Sequence, residues 1–203
     1  IEAVQMGTVE FHTWNARSDR IDRPDRVIFD LDPDKELSWS AMAEATCMTL
    51  DLLDGLGLQA FLKTSGGRGM HVVVPIDRRY SWDTVRAFAQ GVSLRLAQQA
   101  PDRLVAKMGT KNRVGKVFVD YLRNQRGAST VAAYSVRARP GLAVSVPIER
   151  DELNQLDGAG QWTILNLKQR FDQLRRDPWA GYGSTRQGIT QSMMRHLGVR
   201  SPD

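Results

Sequence analysis

The stretch Val27-Ile28-Phe29-Asp30-Leu31-Asp32-Pro33 places two carboxylates where they could do chemistry. It is short, apolar and bounded by Pro24 and Pro33, the pattern of a buried β-strand. Strand side chains alternate, so Val27, Phe29 and Leu31 share one face and Asp30 and Asp32 the other. Their backbones then stand about 6–7 Å apart. Bare carboxylates so placed repel each other and resist ionisation. A divalent cation between them removes the conflict, and hard oxygen ligands suit Mg²⁺ or Mn²⁺. The blander alternative is a strand end whose acids face water, since Pro33-Asp34 also makes a plausible turn. A third acid, Asp120, interrupts the apolar run Val117-Phe118-Val119-Asp120-Tyr121-Leu122. An acid in such a strand is costly unless paired or metal-bound. Asp120 is therefore the natural third ligand, facing the pair from another strand.

A second stretch with chemical potential is Thr64-Ser65-Gly66-Gly67-Arg68-Gly69-Met70-His71, between expected strands at 58–63 and 72–76. Its glycines let a backbone approach a ligand closely and present N–H groups as an anion nest. Ser65, Arg68 and His71 add donors for phosphate oxygens. It is not a P-loop, because the Gly-Lys-Ser/Thr ending and the following helix are missing. On these residues alone, a plain hairpin turn explains it as well. Charge points the same way. The chain of 203 residues carries a net +5, and most of the excess falls between Arg103 and Arg150, where ten Lys/Arg accompany only Asp120 and Glu149. A basic stretch around a carboxylate site suggests a polyanionic partner; a solvated surface is the plainer reading.

The elements that must position these groups read as α+β. Residues 3–14 look strand-like, with a turn or bulge at Gly7 and His12 near the end. Ser38 or Ser40 can cap a helix running to about Leu56, with Met42, Ala45, Thr49 and Leu53 on its sheet-facing stripe. Ser81 caps a second helix reaching Gln99, with Val85, Phe88, Ala89, Val92 and Leu96 as its stripe and Gly91 as a weak point. Short strands are expected at 104–107, 117–122 and 130–134, and the alternation in Ser135-Val136-Arg137-Ala138-Arg139 sets basic side chains on one face. Residues 108–115 read as a basic loop. From Glu149 onward the pattern turns helical (149–156, 163–175, 187–197), with Trp162, Trp179 and Tyr182 sealing this tail to the body. Cys47 stands alone, so there is no disulfide framework or cysteine-rich zinc site. No signal peptide and no membrane-length apolar run is seen, which makes the cytosol the expected compartment. The length fits one domain, residues 1–203, and the start at Ile1 suggests a piece of a longer chain.

Five segments, in order, carry a family resemblance: Gly7-Thr8-Val9-Glu10-Phe11-His12-Thr13-Trp14; the 27–33 strand; Lys63 through His71; Asp120-Tyr121-Leu122-Arg123-Asn124; and Tyr134-Ser135-Val136-Arg137-Ala138-Arg139. Together they resemble the polymerase domain of bacterial DNA ligase D, in the archaeo-eukaryotic primase superfamily. The resemblance implies a primase-like split β-sheet with an RRM-like catalytic half, flanked by helices. It implies addition of NTPs or dNTPs at broken DNA ends during non-homologous end joining, by a bacterial protein that works at the nucleoid. Ku is the implied partner, with ligase and phosphoesterase domains on the parent chain. Carried onto this chain, it implies two-metal nucleotidyl transfer, with Asp30, Asp32 and Asp120 holding two Mn²⁺ or Mg²⁺ ions about 3.5–4 Å apart. Ser65, Gly66, Gly67, His71 and Arg137 would hold the triphosphate and His12 would contact the nucleotide. Arg68, Arg113, Arg123 and Arg139 would meet phosphate or DNA. Two departures stand out. The family's domain normally begins well upstream of Gly7, in a part that helps bind DNA. Some relatives also carry a Lys where this chain has Gly127-Ala128-Ser129.

Two other classes compete. Phe29-Asp30-Leu31-Asp32 also looks like the first motif of haloacid-dehalogenase phosphatases, whose first Asp is a nucleophile. That family usually continues Gly-Thr rather than Pro33-Asp34, and no later paired-Asp motif completes its Mg²⁺ site. A non-catalytic nucleic-acid-binding module accounts for the basic stretch but gives no reason for three acids on apolar strands.

Overall fold

The computed structural model describes residues 2–200. Its strands are β1 (His12–Thr13), β2 (Arg26–Pro33), β3 (Phe61–Thr64), β4 (Met70–Pro75), β5 (Leu104–Val105), β6 (Val117–Asp120), β7 (Thr130–Val131) and β8 (Pro147–Ile148). Its α-helices are α1 (Glu2–Gln5), α2 (Trp39–Gly55), α3 (Trp82–Gln99), α4 (Leu167–Gln173) and α5 (Gln191–His196). Six strands form one sheet in the order β5-β6-β2-β4-β3-β8, and β1 and β7 form a separate antiparallel pair. Every pairing in the large sheet is antiparallel except β5 with β6.

The order β6-β2-β4-β3, with α2 after β2 and α3 after β4, is the split β-α-β-β-α-β arrangement expected of an RRM-like half. The period-2 pattern decides the faces. Val27, Phe29, Leu31, Leu62, Met70, Val72, Val74, Val117 and Val119 share a core with α2 and α3. Helix α2 contributes Met42, Ala45, Thr49 and Leu53, and α3 contributes Val85, Phe88, Ala89, Val92 and Leu96, all buried. Both helices start where a serine hydroxyl accepts from a first-turn N–H: Ser38 from Ala41 and Ser81 from Thr84. The opposite face of the sheet therefore carries Asp30, Asp32, Lys63, His71 and Asp120.

Some expectations change. Residues 2–5 form an exposed helical turn rather than a strand, because a two-residue ribbon, β1, is all that finds a partner there. The 135–139 stretch makes a single bridge, Val136 with Val144, instead of a strand. The tail is less helical than its pattern, with a 3₁₀ turn at Arg150–Gln155 and short α4 and α5 helices. It is anchored by side chains. Trp179 donates Nε1–H to the Leu62 carbonyl at 2.8 Å and stacks on Tyr182 at 4.8 Å. Buried Arg170 pairs with Glu152. Gly91, a weak point by helix propensity, has a packing reason: a Cβ there would lie 2.4 Å from Val199 Cγ2, so Leu197 and Val199 seat against α3. Among the described residues no helix is long and apolar enough to cross a membrane.

Candidate active site

The cross-strand register lines up four polar residues at one level of the open face. Asp120 on β6 is the Cα partner of Asp30 on β2, Asp30 of His71 on β4, and His71 of Lys63 on β3. Just past β6, Asn124 extends the ladder: its Oδ1 accepts from Ile28 N–H at 2.8 Å and its Nδ2 donates to Ile28 O at 2.7 Å. This fixes the loop that returns Arg123 to the site. The Arg123 Nε stands 3.4 Å from Asp30 Oδ2 and 3.3 Å from Asp120 Oδ2. Asp30 also lies 3.4 Å from His71 Nε2. Burial raises the Asp30 carboxyl's pKa, but His71, Arg123 and Lys63 outweigh it and hold it at about 2. Asp120 moves the other way: burial raises it, Asp30 adds to that, and the Leu122 N–H on its Oδ1 at 2.7 Å opposes.

Asp32 shares the face but not the cluster. Its carboxylate is half exposed and pairs with Arg113 from the basic loop. Among the described residues no three His, Cys, Asp or Glu side chains converge to hold a metal ion as they stand. The reason is local: Arg113 draws Asp32 outward, while the Arg123 guanidinium stands between Asp30 and Asp120. The donor set still fits a hard cation, because two facing carboxylates, one of them strongly ionised, already share a positive group.

The glycine loop and the 135–139 segment meet beside this row. The Ser65 hydroxyl accepts from the N–H groups of Gly67 and Gly69, both at 3.2 Å, and shapes the loop. Arg137 donates from Nη1 to the Ser65 carbonyl at 2.8 Å. Gly66 has φ +64°, and a Cβ there would stand 2.8 Å from Arg137 Cγ. Arg137 Nε is 2.9 Å from Glu10 Oε1, which also contacts His12 Nε2 at 2.7 Å; Ala138 N–H donates to Glu10 Oε2 at 2.8 Å. His12, chiefly, with Ala138 and Arg137, outweighs the effect of burial and keeps the Glu10 carboxyl below its usual range. His12 is thus brought next to Arg137, 125 positions away in the chain. Arg139 lies near Gly67, its Nη1 3.8 Å from where a Gly67 Cβ would stand. Arg68 turns away and donates to the Asp34 carbonyl at 3.1 Å, toward the basic loop.

Sequence reasoning passed over Glu10, Lys63, Asn124 and Ser145 as parts of the site. Lys63 carried the signal that exposed Asp120, a charge in a buried strand. Glu10 stood two residues from His12, on the same side of an extended segment. Asn124 and Ser145 gave no signal, since their roles depend on which backbone lies opposite.

The fold is that of a polymerase domain. The chain superposes on the polymerase domain of Mycobacterium tuberculosis Ligase D, solved in complex with DNA, with a TM-score of 0.76 and 30% identity over 84% of this chain and 62% of that one. The LigD primase-polymerase domain model matches residues 1–179, and the chain belongs to that family. It is 60% identical over 199 residues to the multifunctional non-homologous end joining protein LigD of Pseudomonas aeruginosa, covering 98% of this chain and 24% of that protein. The Mycobacterium bovis protein of the same name is 36% identical over 129 residues, 64% of this chain and 17% of that one. The chain thus spans about a quarter or less of these relatives. The phosphatase alternative finds no support in these matches.

Proposed function

We propose that this domain is a nucleotidyltransferase that adds NTPs or dNTPs to DNA 3′ ends during non-homologous end joining. The observation that carries the reading is the facing Asp30–Asp120 pair on the open sheet, beside a glycine loop gripped by Arg137. Asp30, Asp120 and Asp32 are the residues that would hold Mn²⁺ or Mg²⁺ ions. Such ions would activate a primer hydroxyl and neutralise charge on the phosphates. The chain's own groups supply the rest. Arg137 offers a permanently charged fork for the triphosphate. His71 offers a ring N–H, and the Ser65–Gly67 backbone offers donors at close approach. His12, held by Glu10, contacts the nucleotide, with a 2′-hydroxyl as one candidate partner. Arg113, Arg123 and Arg139, with Arg68 farther out, give the DNA strands a positive surface. The parent protein would add ligase and phosphoesterase domains and work with Ku in the bacterial cytoplasm.

The test is incubation of a labelled primer–template with each NTP and dNTP and either Mn²⁺ or Mg²⁺. Metal-dependent extension, lost in Asp30→Ala, Asp32→Ala and Asp120→Ala, supports the reading. Phosphate release from a small phosphoester without extension would return the phosphatase. Metal-independent DNA binding unchanged by the same substitutions, again without extension, would leave a binding module only.

A further inference from the structure

Lys63 is 2% exposed, yet nothing in the proposed chemistry uses it. Its Nζ lies 2.8 Å from His71 Nδ1 and 2.9 Å from Ser145 Oγ. The Ser145 hydroxyl proton is committed to the Thr64 carbonyl at 2.6 Å, so its oxygen accepts from Lys63. On the far side of the imidazole, Nε2 faces Asp30 Oδ1 at 3.4 Å. An ionised carboxylate can only accept, and a neutral imidazole has one N–H. Of the two groups that flank the ring, Lys63 brings donors to Nδ1 and the Asp30 carboxylate brings acceptors to Nε2. The single N–H therefore sits at Nε2, on the side of Asp30 and the open face, and Nδ1 must accept. Lys63 is the donor at that distance. A buried lysine is expensive as a mere strut, because an apolar chain of the same length would fill the space without desolvating an amine.

We infer that Lys63 is a positioning residue, which fixes His71 in the tautomer that presents Nε2–H on the open face, where an oxygen of the bound nucleotide can take it. The polar string Thr64 O, Ser145 Oγ, Lys63 Nζ, His71 and Asp30 ties three strands and the 144–146 segment to one proton position. The second half of this inference rests on the nucleotide reading above; the first half does not.

The experiment separates them. The chain has only three histidines, His12, His71 and His196, so ¹⁵N-edited spectra of their rings are readily assigned. Without nucleotide, His71 in the wild type should show a protonated Nε2 and a bare Nδ1. In Lys63→Met it should become a mixture of tautomers. A wild-type Nδ1–H, or a pure Nε2–H tautomer persisting in Lys63→Met, overturns the inference. For nucleotide, Lys63→Met should raise the NTP dissociation constant about tenfold. On a His71→Gln background, where the amide N–H stands near the ε position without help, the same change should cost no more than about twofold. Equal costs on both backgrounds would make Lys63 a structural residue and defeat the inference. If Lys63→Met fails to fold, the wild-type tautomer and the same cycle with Ser145→Ala decide. The expected tautomers, with no NTP binding by any form, would defeat the nucleotide reading alone.

Discussion

Asp30 and Asp32 lie two residues apart on one strand and belong to two different regions. Asp30 sits at the sheet centre, where His71, Arg123 and the buried Lys63 converge and hold it ionised. Asp32 lies at the strand end, half exposed, with one partner on the 3₁₀ turn Thr110–Arg113. Strand pairing preorganises the first site before any ligand arrives. The second depends on where a basic loop rests. The sheet therefore fixes Asp30 opposite Asp120, while Asp32 is tied to the loop through Arg113.

The largest effect expected of this contrast is on turnover. Asp30→Asn and Asp120→Asn should lower the single-turnover extension rate about a thousandfold or more, with near-native circular dichroism. Asp32→Asn should fall equally far if all three acids serve the reaction. Retained extension in any one would remove that residue from the site. Next comes the phosphate side. Arg137→Ala should raise the NTP dissociation constant about 10–100-fold and leave DNA affinity within about twofold. Loss of DNA affinity instead would make the 135–139 segment a nucleic-acid surface.

A stability measurement probes the same junction. In Gly66→Ala the new Cβ would meet Arg137 Cγ and the Val144–Ser145 backbone, at a residue with φ +64°. A loss of about 1–3 kcal/mol in denaturant unfolding is expected. An unchanged midpoint would mean that the loop and the 135–145 segment are not packed together as described. Acid titration probes the sheet centre more gently. The folded pKa of Asp30, about 2, lies below its ordinary 3.8. Its contribution is thus fully present above about pH 3.8 and fades as pH falls toward 2. Asp30→Asn should flatten that part of the stability curve. The smallest effect is at the loop: Arg113→Ala breaks a half-exposed pair and should change stability by no more than about 1 kcal/mol.

The sheet centre was legible because its signals are local. Alternation in 27–33 assigned the faces of Asp30 and Phe29, and an acid among valines marked Asp120. Ser38 or Ser40, and Ser81, marked the starts of both long helices, and the first cap is Ser38. What escaped depends on distant pairing. That Asn124 would complete a rung against Ile28, or that Ser145 would accept from Lys63, follows from which strands become neighbours, and no window of sequence contains that. The 135–139 alternation misled for a related reason: its ladder needs a partner strand, and only Val144 is in register. The α1 turn was misread because the apolar residues Val4 and Met6 are exposed and face no sheet.

The most direct test of the central claim is Mn²⁺ binding, followed by electron paramagnetic resonance with NTP present. The wild type should take up the ion, Asp30→Asn and Asp120→Asn should lose it, and Arg113→Ala should bind at least as well, because Asp32 is then free to join the other two. Uptake that survives loss of both sheet-centre carboxylates, or no uptake by the wild type, would contradict the account.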